Sequence, residues 1–386
     1  MTVLASPSSI DTSTPRPLQL ARMLAPETYT SEAWFRAELR ELHFKAWHFA
    51  CLATTLPEPG RFITRRLLNR HVIVIKGSDG QIRAFLNSCR HRGAPLTLAA
   101  CGRLEQLTCP FHQWTYNTCG ELERAPGLGA YLTHNEFSME ALNLQQLPCE
   151  IAEGLVFIHL EPDHTGSLSD YLGNFIDDVA RHYRTERMVT VHEKSYSLNT
   201  NWKLYVEVDM ETLHTNFIHQ NSIGSQPVSP VQHSDNWFGV FHRHTTSPAL
   251  FPEDRHRAFT GPDDLSGPAL DGTHFSVVLP GFFLVTAPEV MWWIQKTPIS
   301  ATQTQVDVGY AFHEETLARA DFERIAPLYF KRLDQVIEED DQITEYQLHG
   351  LYNCVRGHYT PVEPVVAHFA ELIQTRMQSW IGCYEP

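Results

Sequence analysis

Several things this chain has little of narrow it before any motif is read. Basic residues are scarce: 30 Lys and Arg stand against 45 Asp and Glu, a formal charge of −15, and they do not cluster. Phosphate backbones are gripped by clustered cations, so no nucleic-acid partner is expected. Long apolar runs are absent too, and none approaches the roughly 20 residues that span a bilayer. The opening MTVLASPSSIDTSTPRPLQL lacks a basic stretch followed by an apolar core, so neither a secretory leader nor an anchor is expected. A soluble, cytoplasmic protein with no membrane partner is the expectation. Eight cysteines in 386 residues are poor material for a disulfide framework and better suited to reduced thiols or metal ligands. Of these, Cys51, Cys101, Cys119, Cys149, Cys354 and Cys383 fit no ligand spacing and read as incidental or buried thiols. Internal repeats and low-complexity blocks are also missing.

What is present points to two folded regions. With 42% hydrophobic residues, a chain this long can bury a sizeable core and supply two domains. Residues 1–44 read as an arm and a helix: Ser, Thr and Pro dominate to about residue 25, and a helix runs from Ser31 to Trp47 behind a serine cap. Residues 45–160 read as a small all-β domain, with a hairpin around Gly77, Ser78, Asp79 and Gly80 and a last strand in GLVFIHLEP. Residues 161–386 read as α+β. In SLSDYLGNFIDDVARHY the apolar period lengthens, placing Leu172, Phe175, Ile176, Val179 and Tyr183 on one helical face. Strands follow in FSVVLPGFFLV and VDVGYAF, and a long helix runs from about Pro327 to Leu351.

Two loops in the β region carry metal-capable side chains. CRHRGAP supplies Cys89 and His91, and CPFHQW supplies Cys109 and His112. Two thiolates and two imidazoles suit either a structural zinc or a [2Fe–2S] cluster with both histidines on one iron. Gly93 permits a sharp turn, Pro110 stiffens the second loop, and Trp114 is placed to shield a redox centre; a closed zinc site needs none of these. Ligands and accessory residues together closely resemble the cluster-binding loops of Rieske proteins. The resemblance implies that Cys89 and Cys109 ligate one iron and His91 and His112 the other. A ferredoxin-like chain could stop near residue 160, but this one continues.

The second region holds NWKLYVEVDMETLHTNFIH, from Asn201 to His219. His214 and His219 are five apart, a rotation of about 140° on a regular helix, so their rings share a metal only if the helix breaks. Along the late helix Leu333, Val336, Ile337, Ile343 and Gln347 mark one face with Asp340 at its centre. Asp341 lies to the side, and Glu339, Asp341 and Glu345 form a solvated face. A carboxylate in an apolar stripe is costly unless it is paired or binds a cation. Two histidines and one aspartate match the facial triad of non-haem Fe(II) oxygenases.

In order and spacing, the Rieske loops, NWK, an acid three residues before H-x4-H, and E-D-x4-E resemble the catalytic α subunits of Rieske non-haem iron oxygenases. That resemblance covers nearly the whole chain. It implies an all-β Rieske domain followed by an antiparallel sheet-and-helix catalytic domain of helix-grip type, with His214, His219 and Asp340 on a mononuclear Fe(II). It implies a head-to-tail homotrimer in which Glu211, three residues before His214 and on its side of a helix, links the iron of one subunit to the cluster of the next. A separate flavin and iron–sulfur reductase, drawing on NAD(P)H and in some systems acting through a ferredoxin, would supply electrons, because this sequence shows no flavin or nicotinamide site. O2 would be co-substrate for mono- or dioxygenation. Most members have aspartate where this chain has Glu211; in that glutamate it resembles oxygenases of carnitine, choline or glycine betaine, whereas TNFIH looks more like demethylating monooxygenases. Trp237, Phe238, Phe241, Trp292 and Trp293 could cage a quaternary ammonium or sandwich an aromatic acid. Arg243, His242 or Lys296 could pair a carboxylate. The competing readings are an electron-transfer or redox-sensing Rieske protein with a non-catalytic second domain, and a zinc module.

Overall fold

The computed structural model describes residues 20–129, 138–231 and 234–381, so most of the arm expected up to about residue 25 lies outside them. Short apolar runs separated by glycine turns build the first half from antiparallel strands. Arg61–Leu67, Arg70–Lys76 and Ile82–Leu86 form the middle of a five-stranded sheet, edged by Cys101–Arg103 and Gln146–Leu147. The expected hairpin is present: Lys76 pairs with Ile82, and Gly80 takes φ +84°, which suits glycine. A three-stranded sheet, Gln106–Thr108, Thr115–Asn117 and Leu122–Arg124, shares one core with it through Ile73, Phe85, Leu107 and Tyr116. A third sheet, Trp47–Leu52, Leu155–His159 and Cys149–Ala152, packs toward the second half, where Phe49 stacks on Phe282 with ring centroids 4.4 Å apart.

The second half is one seven-stranded antiparallel sheet with helices against it. The order is Met188–Leu198, Gln303–His313, Met291–Ser300, Phe282–Thr286, Gly272–Val278, Trp237–Arg243 and Ser229–Pro230. Val306, Val308, Tyr310 and Phe312 alternate along their strand and so share a face. They meet Tyr329, Leu333, Val336 and Ile337 of the long helix, Phe322–Leu351, in a common core. The chain is therefore α+β: all-β first, then antiparallel sheet and helix. No described helix is long and apolar enough to cross a membrane.

Three helix expectations change. Ser31 does cap a helix, accepting the Trp34 N–H at 3.3 Å, but that helix spans only Glu32–Glu38 before a wide turn at Leu39–His43, and Trp47 already begins a strand. Leu172, Phe175, Val179 and Tyr183 are buried as one face requires. Their segment is nevertheless three short turns, because Gly173 at φ +54° interrupts it after Leu172. The long helix starts five residues before Pro327, whose ring forgoes only the bond to Glu323.

Candidate functional site

The NWK stretch begins the helix that leads into the site. Asn201 caps it, its side-chain oxygen accepting the Lys203 N–H at 2.9 Å while its amide donates to the Tyr29 and Ala301 carbonyls at 3.0 and 2.7 Å. Lys203 and Glu38 form a buried ion pair at 2.7 Å, and the Trp34 and Trp202 indoles donate to the same carboxylate at 2.8 and 3.1 Å. Those contacts fix where the Trp202–Asp209 helix starts. It stops at Asp209, and His214 opens a separate turn, His214–Asn216. The break lets both rings reach one point. His214 Nε2 and His219 Nε2 lie 3.1 Å apart, and Asp340 Oδ1, from the long helix, is 3.5 and 2.9 Å from them.

A carboxylate holds the far side of each ring. Glu211 Oε1 is 2.5 Å from His214 Nδ1, and its other oxygen accepts the His214 backbone N–H at 3.0 Å. Glu339 Oε2 is 2.7 Å from His219 Nδ1, and Glu339 is itself held by Ser222 Oγ at 2.6 Å and Gln335 Nε2 at 2.9 Å. Carboxylates at Nδ1 fix a proton there and turn each Nε2 lone pair inward. Two such lone pairs converge on Asp340 Oδ1, a buried oxygen without a hydrogen-bond donor, an arrangement that calls for a cation among them. The surrounding field favours positive charge at this point, here carried by a proton where a cation would sit. Burial opposes a charge on His214, yet Asp340 and Glu211 outweigh it and raise the imidazole to about 10. Burial pushes Asp340 up, yet the two histidines hold it below the usual carboxylate range. Two imidazoles and a carboxylate fit a divalent iron with open positions.

A cavity opens on these three side chains and is walled mainly by Val208, Ile223, Phe275, Phe283, Val285 and Ile294. Of the aromatics singled out from sequence, Trp292 lines it. Trp237 and Trp293 are core residues whose indoles donate to Asn174 at 2.8 Å and Thr190 at 2.9 Å, Phe238 is core, and Phe241 packs on His274. The candidate carboxylate partners are also engaged elsewhere. Lys296 forms a buried ion pair with Asp209, Arg243 pairs with Asp271 at 2.5 Å on the surface, and His242 Nδ1 meets the Pro227 carbonyl at 2.7 Å.

The solvated face expected for Glu339, Asp341 and Glu345 is not there. Glu339 supports His219, Glu345 accepts the Asn199 N–H at 2.9 Å, and Asp341 is half-buried, its carboxyl raised to about 7 by burial and by Asp340. Gln347, expected on the apolar stripe, is exposed. Sequence reasoning missed Glu339 because, in a run of four acids, nothing local marks the one that reaches back to a histidine.

The two cysteine–histidine loops repeat one backbone design. In the first, Cys89 N–H donates to the Ala94 carbonyl and Gly93 N–H to the Cys89 carbonyl, both at 2.8 Å, with Gly93 at φ +76°. In the second, Cys109 N–H donates to Trp114 at 2.8 Å and Gln113 N–H to Cys109 at 3.0 Å, with Gln113 at φ +60°. Cys89 and Cys109 are buried, the His91 and His112 rings are 4.5 Å apart, and His91 stacks on Trp114 at 4.9 Å. His112 Nδ1 is buried without a partner. That orphan nitrogen beside two buried thiols suits ligand positions of a mixed cysteine–histidine [2Fe–2S] cluster. Tyr116, which the sequence did not single out, has its Oη 3.4 Å from Cys89 Sγ and accepts the Arg90 N–H at 3.0 Å.

Comparison with known proteins agrees with both halves. Residues 185–379 match the family model described as ring hydroxylating alpha subunit (catalytic domain), and residues 46–147 match that of the Rieske [2Fe-2S] domain. The anthranilate 1,2-dioxygenase large subunit of Acinetobacter baylyi is 32% identical over 222 residues, 56% of this chain, which spans only 46% of that protein's length. The carnitine monooxygenase oxygenase subunit of Acinetobacter baumannii is 26% identical over 301 residues, 75% of this chain and 76% of that one. Among solved structures, the quaternary ammonium Rieske monooxygenase CntA with L-carnitine superposes at TM-score 0.75 and 23% identity, over 92% of this chain and 96% of that one. Naphthalene 1,2-dioxygenase from Rhodococcus sp. bound to indole gives 0.76 at 18% identity, over 92% and 94%. These two likenesses are of fold.

Proposed function

The chain belongs to the ring-hydroxylating alpha subunits, with a Rieske [2Fe–2S] domain ahead of the catalytic one, and on that premise we propose that it is the terminal oxygenase of a multicomponent system. A separate flavin and iron–sulfur reductase, with or without a ferredoxin, feeds it electrons from NAD(P)H. O2 is the co-substrate, and a small organic molecule, a quaternary ammonium compound or an aromatic acid, is hydroxylated or oxidatively demethylated. The relatives support those classes, one being named for anthranilate and another for carnitine.

In this reading Cys89, His91, Cys109 and His112 hold the cluster within residues 45–160, behind the arm and helix of residues 1–44, and His214, His219 and Asp340 hold the iron within residues 161–386. When bound, the cluster stores an electron and the Fe(II) binds and activates O2. The protein's own part is positional. Glu211 and Glu339 keep a proton on Nδ1 of each histidine so that Nε2 stays a ligand, and the apolar walls keep bulk water from the reacting end. Glu211 is further assigned as the carboxylate that meets a cluster histidine of a neighbouring copy in a head-to-tail trimer.

The observation that carries the proposal is the convergence of His214 Nε2, His219 Nε2 and Asp340 Oδ1 at the end of an apolar cavity. The purified chain should be red-brown with a Rieske-type EPR spectrum, and should consume O2 when a reductase and substrate are supplied. A colourless protein that takes up zinc alone contradicts the proposal.

A further inference from the structure

The cavity beside the triad is lined by a charge that no acid of the described residues contacts: burial and Arg255 oppose it, and Glu339 and Asp340 favour it only from beyond ion-pair distance. Arg332 lines it and is only 6% exposed. Its Nε–H is buried without an acceptor, and among the described residues no ion pair or hydrogen bond engages the rest of its guanidinium. The group lies over the Trp292 ring, its Cζ 5.9 Å from the centroid, and Trp292 Nε1–H is likewise buried without an acceptor. Both residues line one largely apolar cavity, and neither of these N–H groups has an acceptor among the described residues. An isolated buried cation is among the costliest groups a fold can keep, and a planar guanidinium is shaped for a two-oxygen anion.

The same cavity is poorly arranged for a quaternary ammonium head. Such a cation needs free aromatic faces, and here protein cations lie over three of the four aromatic rings that line the cavity, while the fourth, Phe275, stacks with Phe283 at 6.4 Å. Lys296 Nζ lies 5.1 Å from the Tyr205 ring and 4.8 Å from the Phe283 ring, and Arg332 covers Trp292. Lys296 is neutralised by Asp209, which leaves Arg332 as the cation of this cavity without an acid in contact. Arg332, Val336 and Asp340 follow one another at i, i+4 and i+8 along one stripe of the long helix. The stripe reads anion anchor, apolar spacer, metal ligand, with about 12 Å of helical rise from first to last.

We propose that Arg332, with Trp292 Nε1–H beside it, is the substrate-anion site of this cavity. The substrate is then a small carboxylic or sulfonic acid with an apolar body, held so that the end remote from its acid group faces the triad. This rests on the oxygenase reading above and narrows its substrate class to acids.

The test is calorimetric titration of the holoprotein under anaerobic conditions, where binding is read without turnover. The probes are benzoate, benzenesulfonate and hexanoate, each against its uncharged amide, with choline as the cationic comparison. At least one acid should bind about tenfold or more tightly than its amide, the factor a charge-assisted hydrogen bond carries. Arg332→Gln should erase that difference while iron content is kept, and Arg332→Lys should restore part of it. The proposal is overturned if no acid binds, if acid and amide bind alike, if Arg332→Gln binds as the wild type does, or if choline binds more tightly than every acid. Because the acid–amide comparison is made on the wild-type chain, it stands even if a variant fails to fold. Iron content and the cluster EPR signal report on the oxygenase assignment separately, so failure of one reading is distinguishable from failure of the other.

Discussion

Glu339 shows how much of the site depends on side chains that are not themselves ligands. By fixing Nδ1 of His219 at 2.7 Å, it sets which ring nitrogen faces the metal position. Carboxylates in that role are typically worth about 10–100-fold in metal affinity, so Glu339→Gln should weaken mononuclear iron by that order, measured by competition with a chelator, and leave the cluster spectrum unchanged. Unaltered iron retention would contradict the role. Sequence reasoning finds the residues whose type and spacing are constrained together, namely Cys89, His91, Cys109 and His112, and His214 with His219. It identifies Asp340 by helical phase and Glu211 by its i, i+3 relation to His214. Glu339 and Arg332 escape it because an acid among acids and an arginine on a helix are ordinary until the fold brings them beside a histidine or into a cavity.

Among elements, the turns decide more than the strands and helices they join. The interruption after Asp209 brings His214 and His219 together, and the φ of +76° at Gly93 closes the first cluster loop. A Cβ at Gly93 would meet only Ser88 Oγ at 3.6 Å, an ordinary contact, so Gly93→Ala carries a purely conformational cost of about 1–2 kcal/mol. That variant should lose its cluster absorbance at lower temperature than the wild type while keeping mononuclear iron; an identical melting profile would contradict the loop account. Strands and the hairpin at Gly77 to Gly80 are legible in the sequence because period and turn residues coincide there. The helices are less so. The apolar face from Leu172 to Tyr183 persists as burial although Gly173 breaks the helix, and Trp47, read as the end of a helix, is drawn into the sheet that pairs it with His159.

At the scale of the whole molecule, the two metal centres matter only if they communicate. Glu211 holds its own His214 with both oxygens at the edge of the iron site, where a cluster histidine of a neighbouring copy would approach in the proposed trimer. Glu211→Ala should therefore keep the cluster and, once saturated with iron to offset the lost support at His214 Nδ1, keep the single-turnover reactivity of fully reduced protein yet stop multiple turnover; normal steady-state rates would remove Glu211 from the path. The measurement that bears most directly on the account is iron content with EPR on the wild type and on His214→Ala. The account predicts about three irons per chain, two of them in the cluster, falling to about two in the variant with the cluster signal intact and O2 consumption lost. Iron content that does not change on removing His214, or a variant that still turns over, would contradict it.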